Sequence, residues 1–235
     1  MTIQTQPAAA RSATNRARVF PPAVYAIGRN YADHAAEMKK DVSDQLIIFM
    51  KNPACVIGNG EPIIIPGICD RPSQQVDYEG ELAVIIGTTC RDVAEKNAFD
   101  VISGYAVAND VSARWWQQKG SGGQYVRGKS FDTFCPMTDP VPPSQVGNPQ
   151  SLRITTKVNG ETLQDSNTNN MLFSIAKIIS ELTTGTTLLA GTVILTGTPA
   201  GVGAARNPPR FLAPGDVVEV TVEKVGTLRN PVVHE

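Results

Sequence analysis

Asp77-Tyr-Glu-Gly-Glu-Leu-Ala-Val-Ile-Ile86 is the stretch of the sequence that decides its structural interpretation. Glu79 and Glu81 are two positions apart, and because side chains on a β-strand alternate between its two faces, both carboxylates would face the same side. The apolar run that follows has the composition of a buried strand, so residues 76–87 are predicted to form one long strand. Two like charges at the edge of a core repel each other unless a positive group compensates them, and a divalent cation is the natural compensator.

A third carboxylate, that of Asp110, follows a second apolar segment. Residues 102–109 are predicted to form a strand that ends directly before Asp110. Three carboxylates at strand ends would make an all-oxygen site for a hard cation, Mg²⁺ or Mn²⁺. The spacing leaves one alternative open, in which Glu79 and Glu81 lie on a solvated strand face.

Short apolar segments separated by Gly and Pro turns recur along the rest of the chain. Further strands are predicted at residues 23–28, 46–50, 54–57, 63–65, 152–159, 193–196 and 217–225, with a hairpin turn at Asn159-Gly160. Helical segments are predicted at residues 29–40, 92–99, 110–119 and 171–182, the last with apolar residues at the 3.6-residue period and candidate caps in residues 166–170. Many short strands with few helices predict a β-rich α+β architecture rather than regular βαβ winding.

The overall composition excludes several classes of protein. The 235 residues include 21 Lys and Arg and 22 Asp and Glu, for a net charge of −1, whereas a nucleic-acid-binding protein needs a basic face. No apolar run approaches the roughly 18 residues that span a bilayer, so no membrane partner is expected either. The four cysteines form no CxxC pair and are interpreted as reduced thiols of an intracellular protein.

Residues 1–19 differ from the rest of the chain, because they contain Arg11, Arg16 and Arg18 but no acid. This composition is interpreted as a flexible tail in front of one domain over residues 20–235, with a mitochondrial targeting segment as the alternative. A cytoplasmic location is therefore expected, with a mitochondrial location as the alternative.

His34 and Glu37 are three positions apart and would share one face of a helix. A carboxylate that accepts a hydrogen bond from one ring nitrogen fixes the tautomer and raises the basicity of the other nitrogen, so the two side chains could form a proton-transfer pair. The alternative is an exposed histidine beside an exposed glutamate. His234, next to the last residue, is expected to lie in a frayed end.

Five segments, taken together, resemble the fumarylacetoacetate hydrolase family. They are Gly28-Arg-Asn-Tyr-Ala-Asp-His-Ala-Ala-Glu-Met38, Asp77-Tyr-Glu-Gly-Glu-Leu82, Asn109-Asp-Val-Ser-Ala-Arg114, Arg127-Gly-Lys-Ser-Phe-Asp132 and Leu195-Thr-Gly-Thr-Pro-Ala-Gly-Val-Gly203. Their order and spacing also match, and the resemblance runs from about residue 24 to residue 233. It implies a mixed β-sandwich roll with a few short helices, a homodimer, and a site for Mg²⁺, with Mn²⁺ or Ca²⁺ as alternatives.

The resemblance also implies roles for individual residues. Glu79, Glu81 and Asp110 match the family's metal ligands, His34 and Glu37 its helical dyad, and Lys129 its active-site lysine. Arg29, Arg114, Gln117 and Thr198 match positions that bind substrate, and the turn that contains Thr198 is interpreted as a carboxylate-binding turn, with a purely structural turn as the alternative. Trp115 and Trp116 depart from the family pattern, which has a smaller residue after the arginine; they would either narrow the cavity or pack outside it.

Members of this family act on 2-oxo acids. The resemblance therefore implies a metal-dependent hydrolase or lyase that cleaves the C–C bond next to the keto group, by acylpyruvate hydrolysis or oxaloacetate decarboxylation, through an enolate stabilised by Mg²⁺. One alternative is an isomerase or tautomerase of 2-oxo and 2-hydroxy-enoic acids. A second alternative is a subunit that keeps the fold and binds ligands without catalysis.

Overall fold

Two five-stranded sheets organise the part of the protein that the computed structural model describes, which is residues 20–37 and 44–235. The predicted tail, residues 1–19, and the end of the predicted helix 29–40 lie outside the described residues. The described strands are, in chain order, β1 (Val24–Gly28), β2 (Ile47–Lys51), β3 (Val56–Ile57), β4 (Ile63–Ile65), β5 (Val76–Asp77), β6 (Gly80–Ile86), β7 (Ile102–Asn109), β8 (Ser112–Ala113), β9 (Cys135–Pro136), β10 (Arg153–Val158), β11 (Glu161–Asn167), β12 (Val193–Leu195), β13 (Val217–Val222) and β14 (Gly226–His234). The described α-helices are α1 (Ala32–Glu37), α2 (Arg114–Gln117), α3 (Tyr125–Lys129), α4 (Pro143–Val146) and α5 (Ile175–Thr183).

Both large sheets are mixed. The strand order is β2-β1-β12-β6-β7 in the first sheet and β11-β10-β13-β14-β4 in the second. Each sheet contains one parallel pair, β1 with β12 and β14 with β4, and its other pairs are antiparallel. The β-rich α+β fold predicted from the sequence, a mixed β-sandwich roll with a few short helices, is confirmed.

The main core lies between the two sheets. Strands β10 and β13 alternate buried side chains with more exposed ones, and Ile154 and Val220 on their buried faces join Leu82 of β6 in one cluster. The opposite face of the first sheet is also covered, since Ala83 and Ala106 belong to a second buried cluster. Strands buried on both faces have nearly continuous apolar sequences, which is why β6 and β7 could be predicted from the sequence.

The long strand predicted over residues 76–87 is in fact two strands, β5 and β6, with a break at Tyr78 and Glu79. Hydrogen bonds to two side chains account for the break. The backbone N–H of Tyr78 donates to the side chain of Asp77, and that of Glu79 donates to the side chain of Asn109, so neither group is available to a strand partner. Residue pairing also changes at the break, from β8 to β7.

The helix predicted over residues 171–182 begins later, at Ile175, and the prediction of caps in residues 166–170 was wrong. Ser174 is the N-cap, and its hydroxyl accepts a hydrogen bond from the backbone N–H of Lys177. The two residues before Ser174 do not join the helix, because their N–H groups are bonded to the segment after β1. The N–H of Leu172 donates to the carbonyl of Asn30, and that of Phe173 donates to the Asn30 side chain.

Three other local predictions differ from the structure. The helix predicted at residues 92–99 is a 3₁₀ segment at Glu95–Val101. The helical segment predicted at residues 110–119 contains strand β8 before α2 begins at Arg114. His234 is not in a frayed end, because it lies in β14, pairs with Ile65 of β4, and places its ring Nε2 2.8 Å from Asp70 Oδ2.

Within residues 20–37 and 44–235, no helix has the length and apolar character required to cross a membrane.

Candidate active site

Four strand ends meet at one edge of the first sheet. Gly80 at the start of β6 pairs with Asn109 at the end of β7. Strand β12 runs antiparallel to β6 and parallel to β1, so the C-terminal ends of β1 and β12 lie at this same edge. The segments that follow β1, β7 and β12 carry Arg29, Asp110 and Thr198. The sheet topology therefore brings together motifs that are far apart in the sequence.

The three predicted metal ligands lie together at this edge. Glu79, Glu81 and Asp110 are buried, and each offers a carboxylate oxygen within 4.8 Å of the other two. The N–H of Asp110 donates to the backbone carbonyl of Glu79 at 2.8 Å, which fixes the end of β7 against the residue before β6. The acids therefore converge through contacts between strand ends, and not because Glu79 and Glu81 share one strand face. The alternative of a solvated strand face is wrong.

Three cationic side chains contact these buried acids. Lys129 Nζ lies 2.7 Å from Glu79 Oε2 and 2.6 Å from Asp110 Oδ2. Arg114 Nη1 lies 2.6 Å from Glu79 Oε1, and Lys51 Nζ lies 2.5 Å from Asp110 Oδ1. Sequence reasoning identified Lys129 and Arg114 but missed Lys51. The available signal was its position as a lone charge directly after the apolar segment 46–50.

The two glutamates have opposite protonation tendencies. Burial raises the pKa of Glu79, but the charges of Lys129 and Arg114 outweigh this effect and lower the pKa to about 2. Burial raises the pKa of Glu81 well above its usual value, and the charges of Asp110 and Glu79 raise it further. With all of its acids ionised, the site would therefore carry more negative charge near Glu81 than its own cations neutralise.

The donor set fits a divalent cation. All three candidate ligands are carboxylates, and oxygen-only sets are preferred by Mg²⁺, Mn²⁺ and Ca²⁺. Such an ion would offset the repulsion from Asp110 and Glu79 that disfavours the ionised form of Glu81. The fourth buried carboxylate, that of Asp77, is 2.8 Å from Arg114, so the acids of the cluster outnumber its cations Lys51, Arg114 and Lys129 by one.

Lys129 reaches the acids because α3 packs closely against α2. Gly128 makes this approach possible, since a Cβ atom at that position would lie 2.3 Å from the backbone nitrogen of Gln117 and 2.8 Å from the carbonyl oxygen of Ala113. Ser112 then places its hydroxyl 2.7 Å from Lys129 Nζ. The ammonium group thus has three oxygen partners and is held at the inner end of the site.

His34 and Glu37 lie together on α1, but they are not hydrogen-bonded to each other. His34 Nδ1 is 3.7 Å from Glu37 Oε2 and has no hydrogen-bond partner among the described residues. Both carboxylate oxygens of Glu37 instead accept from the N–H of Gly201, at 3.0 and 2.9 Å. Burial raises the pKa of Glu37, but contact with His34 and the Gly201 amide lower it overall. His34 is buried, so the alternative of an exposed histidine is wrong.

A cavity of about 510 Å³, part of it open to solvent, lies over this cluster. Eight of the ten predicted site residues line it: Arg29, His34, Glu79, Glu81, Arg114, Gln117, Lys129 and Thr198. The other two, Glu37 and Asp110, lie behind the lining and contact His34 and Lys129. Phe49, Gln118 and Tyr125 also line the cavity and were not predicted, because none of them carries a charge or a motif that would distinguish it in the sequence.

The turn after β12 is fixed from several sides. Gly197 donates its N–H to Glu81 Oε2 at 2.6 Å, and its positive φ of 99° suits glycine. The Thr198 hydroxyl donates to the carbonyl of Gly80 and accepts from Gln164 Nε2. The turn therefore forms a fixed wall of the cavity, and Thr198 is the residue of the turn that lines the cavity.

The two adjacent tryptophans lie outside the cavity lining. Trp116 stacks edge-to-face with Phe131, and the Arg127 guanidinium lies over both rings. Trp115 packs against Trp116 with a ring-centroid distance of 4.8 Å. Of the two interpretations open from the sequence, packing outside the cavity is the one that agrees with the structure.

Comparison with known proteins identifies the relatives of this chain. The profile of the family described as "Fumarylacetoacetate (FAA) hydrolase C-terminal" matches residues 23–233. Among curated relatives, oxaloacetate tautomerase fahd2, mitochondrial, of Xenopus laevis is 44% identical over 214 residues, which cover 91% of this chain and 66% of that protein. Oxaloacetate tautomerase YisK of Bacillus subtilis is 41% identical over 212 residues, covering 89% of this chain and 69% of that protein.

A solved structure supports the same relationship. The crystal structure of 5-carboxymethyl-2-hydroxymuconate delta-isomerase from Mycobacterium smegmatis superimposes with a TM-score of 0.80 at 40% sequence identity. The match covers 92% of this chain and 80% of that one. This chain thus spans about two thirds of the two tautomerases and most of the isomerase.

Proposed function

The chain belongs to the fumarylacetoacetate hydrolase family, and from this premise we propose that it is a metal-dependent tautomerase of small 2-oxo acids such as oxaloacetate. It belongs to a family of 2-oxo acid enzymes, and two relatives at 41–44% identity are named oxaloacetate tautomerases. The observation that carries the proposal is the cavity, where two buried carboxylates, a lysine and a histidine face the same space and the third carboxylate lies directly behind them. Enolate formation from a 2-oxo acid needs positive charge near the developing oxyanion, and reprotonation needs a group that transfers a proton.

The acids Glu79, Glu81 and Asp110 are proposed to hold Mg²⁺, with Mn²⁺ or Ca²⁺ as alternatives. When bound, the ion would supply Lewis-acid polarisation of the keto and carboxylate oxygens of the substrate. The chain's own cations add to this effect. Lys129 and Arg114 line the cavity and place positive charge where negative charge develops on the substrate oxygen.

Substrate position is proposed to depend on the walls of the cavity. Arg29, Gln117 and Thr198 offer polar groups at separate points of the lining, and each lies on a different segment of the chain. Arg29 has a positive φ of 55°, which is uncommon for a residue other than glycine and is typical of residues held in place at functional sites. These side chains would orient the carboxylate groups of the acid relative to Lys129.

His34 is proposed to move the proton. It lines the cavity, and its Nδ1 lies close to Glu37 without a hydrogen bond. Tautomerisation needs one group that takes a proton from carbon and returns it to oxygen, or the reverse. Hydrolysis needs a histidine–glutamate pair that activates water, and here both oxygens of Glu37 are bonded to the Gly201 amide. This arrangement supports His34 as the proton-transfer group more directly than a hydrogen-bonded His34–Glu37 pair.

Cleavage of a C–C bond, by acylpyruvate hydrolysis or oxaloacetate decarboxylation, is the second candidate. The observation in its favour is the aromatic part of the cavity lining, which lies beside the charged groups. An acyl or dienoic extension of the substrate would lie against Phe49 and Tyr125, the aromatic part of the lining. Both reactions would use the same enolate, so the same residues would serve either one.

We further propose that residues 20–235 act as one catalytic domain and that two copies associate. Strand β2 is an edge strand of the first sheet, and its Ile48 and Met50 side chains are exposed. Val126 on α3, a helix that packs against β2, is exposed as well. Light scattering of the native protein and of an Ile48→Glu variant tests this: a dimer that the substitution converts to a monomer is expected, and a monomeric native protein contradicts it.

The decisive experiment is an assay of enol-to-keto conversion of oxaloacetate, in parallel with acylpyruvates and 2-hydroxymuconate-type acids, with Mg²⁺ and with Mn²⁺. We expect metal-dependent tautomerisation of oxaloacetate. Turnover that persists after rigorous metal depletion would contradict the metal site. Oxalate binding in calorimetry without turnover of any acid would instead identify a subunit that binds ligands without catalysis.

A further inference from the structure

Asp77 is a buried carboxylate with no part in the candidate metal site, yet it has four hydrogen-bond partners. Its Oδ1 accepts from the backbone N–H groups of Tyr78 and Gly203, at 2.9 and 2.8 Å. Its Oδ2 accepts from the N–H of Ala204 at 2.9 Å and from Arg114 Nε at 2.8 Å. Three backbone groups thus fix the carboxylate, and only its fourth partner is a side chain. That partner is a cation that lines the cavity.

Arg114 is held between two carboxylates. Its Nε and Nη2 atoms both lie 2.8 Å from Asp77 Oδ2, while its Nη1 lies 2.6 Å from Glu79 Oε1 and 3.1 Å from Gln117 Oε1. Glu79 and Gln117 line the cavity with Arg114, whereas Asp77 is fully buried behind it. The orientation of the guanidinium toward the cavity is therefore set from behind, by Asp77.

We infer that Asp77 is a positioning residue: it fixes the guanidinium of Arg114 so that the positive charge faces an anionic ligand in the cavity. The inference rests on the proposed function, because it takes the ligand to be a 2-oxo acid. It also links two parts of the site, since the carboxylate that orients Arg114 is itself held by Gly203 and Ala204, directly after the turn that contains Thr198.

The chain offers a matched control for an Asp77→Asn substitution. Asp216 is also buried, and it also accepts from an arginine, Arg210, and from a backbone N–H, that of Ala213. It does not line the cavity. Asp216→Asn also removes the carboxylate partner of an arginine and should leave ligand affinity unchanged, which separates positioning from the general effect of losing such a pair.

The test measures oxalate binding by calorimetry at saturating Mg²⁺, together with kcat and KM for oxaloacetate. For Asp77→Asn we expect oxalate affinity to fall about tenfold or more and the KM for oxaloacetate to rise correspondingly. Losses of this size are usual when the group that orients a ligand-binding side chain is removed. For Asp216→Asn we expect both quantities to stay within about twofold. Unchanged oxalate affinity in folded Asp77→Asn would overturn the inference.

A double-mutant cycle shows whether Asp77 acts through Arg114. In an Arg114→Met background, Asp77→Asn should weaken oxalate binding little further, because the group that it positions is gone. Two additive effects would overturn the inference, since Asp77 would then act by another route.

Arg114→Lys provides a second variant in case Asp77→Asn does not fold. It keeps the positive charge but cannot present two nitrogens to Asp77 Oδ2, so we expect a similar loss of oxalate affinity. Full affinity in Arg114→Lys would show that orientation does not matter and would overturn the inference. If the native protein binds oxalate as expected but turns over no 2-oxo acid, the proposed function fails while the role of Asp77 stands.

Discussion

Lys51 Nζ lies 2.5 Å from Asp110 Oδ1, although the two residues are 59 positions apart in the sequence and neither side chain is exposed. The other oxygen of Asp110 lies 2.6 Å from Lys129 Nζ. Only Lys129 of the two lysines lines the cavity. Lys51 therefore stabilises the acid from the protein side, which leaves Lys129 to face the ligand.

Lys51→Met should be strongly destabilising, because it removes the cation that contacts Asp110 Oδ1 in the interior and leaves that oxygen unpaired. We expect a loss of about 3–5 kcal/mol in the free energy of unfolding, measured by urea denaturation. Lys177→Met is the matched control, since Lys177 pairs with Glu181 on the surface of α5 and should contribute only about 0.3–0.5 kcal/mol. Equal losses in the two variants would show that the buried pair contributes no more to the free energy of unfolding than the surface pair.

Glu81→Gln should weaken Mg²⁺ binding by about tenfold or more and abolish turnover, because it removes one anionic ligand. Folding should be little affected, since a glutamine keeps a side-chain oxygen that can accept from the N–H of Gly197 and removes a charge that the neighbouring acids disfavour. Calorimetric titration with Mg²⁺ and urea denaturation measure the two effects. Glu95→Gln, a change in an exposed residue, is the control and should alter neither.

His34→Ala should lower the rate of tautomerisation by about 100-fold or more, the usual contribution of a positioned acid–base group. Oxalate affinity should change little, because proton transfer is not needed for binding. The chain has one other histidine, His234, which bonds to Asp70 away from the cavity, and His234→Ala should keep its full rate. An unchanged rate of tautomerisation in His34→Ala would assign the proton transfer to another group.

Asp216 should make stability depend on pH. Burial raises its pKa, but Arg210, the Ala213 amide and Asn159 lower it overall, so its pKa is lower in the folded protein than in the unfolded chain. The stabilisation is therefore complete above the unfolded value of about 3.9 and is lost as the pH falls through the folded value. Asp216→Asn should cost about 1 kcal/mol at pH 7, a modest amount because Arg210 is partly exposed, and the difference should shrink below pH 4. Urea denaturation of both proteins across this range tests the prediction, and a difference that does not change with pH would contradict it.

Much of the site could be predicted because its residues directly precede or follow apolar strands. Glu81 and Asp110 lie at the ends of segments whose burial is visible in the sequence. Their long-range partners could not be predicted in the same way. The bond between Glu37 and Gly201 joins residues 164 positions apart, and Lys51 has no neighbouring motif. The break between β5 and β6 was missed for a similar reason, since the Asn109 side chain that occupies the N–H of Glu79 is 30 positions away.

The hydrogen bond from Gly201 to Glu37 also provides a natural spectroscopic probe. An amide proton donated to both oxygens of a carboxylate is expected at an unusual chemical shift, and glycine amides occupy a sparsely populated region of a ¹⁵N-correlated NMR spectrum. The resonance of Gly201 would therefore report whether α1 stays attached to the turn after β12 as ligands enter. Such a measurement would need no label inside the cavity and no substitution in the protein.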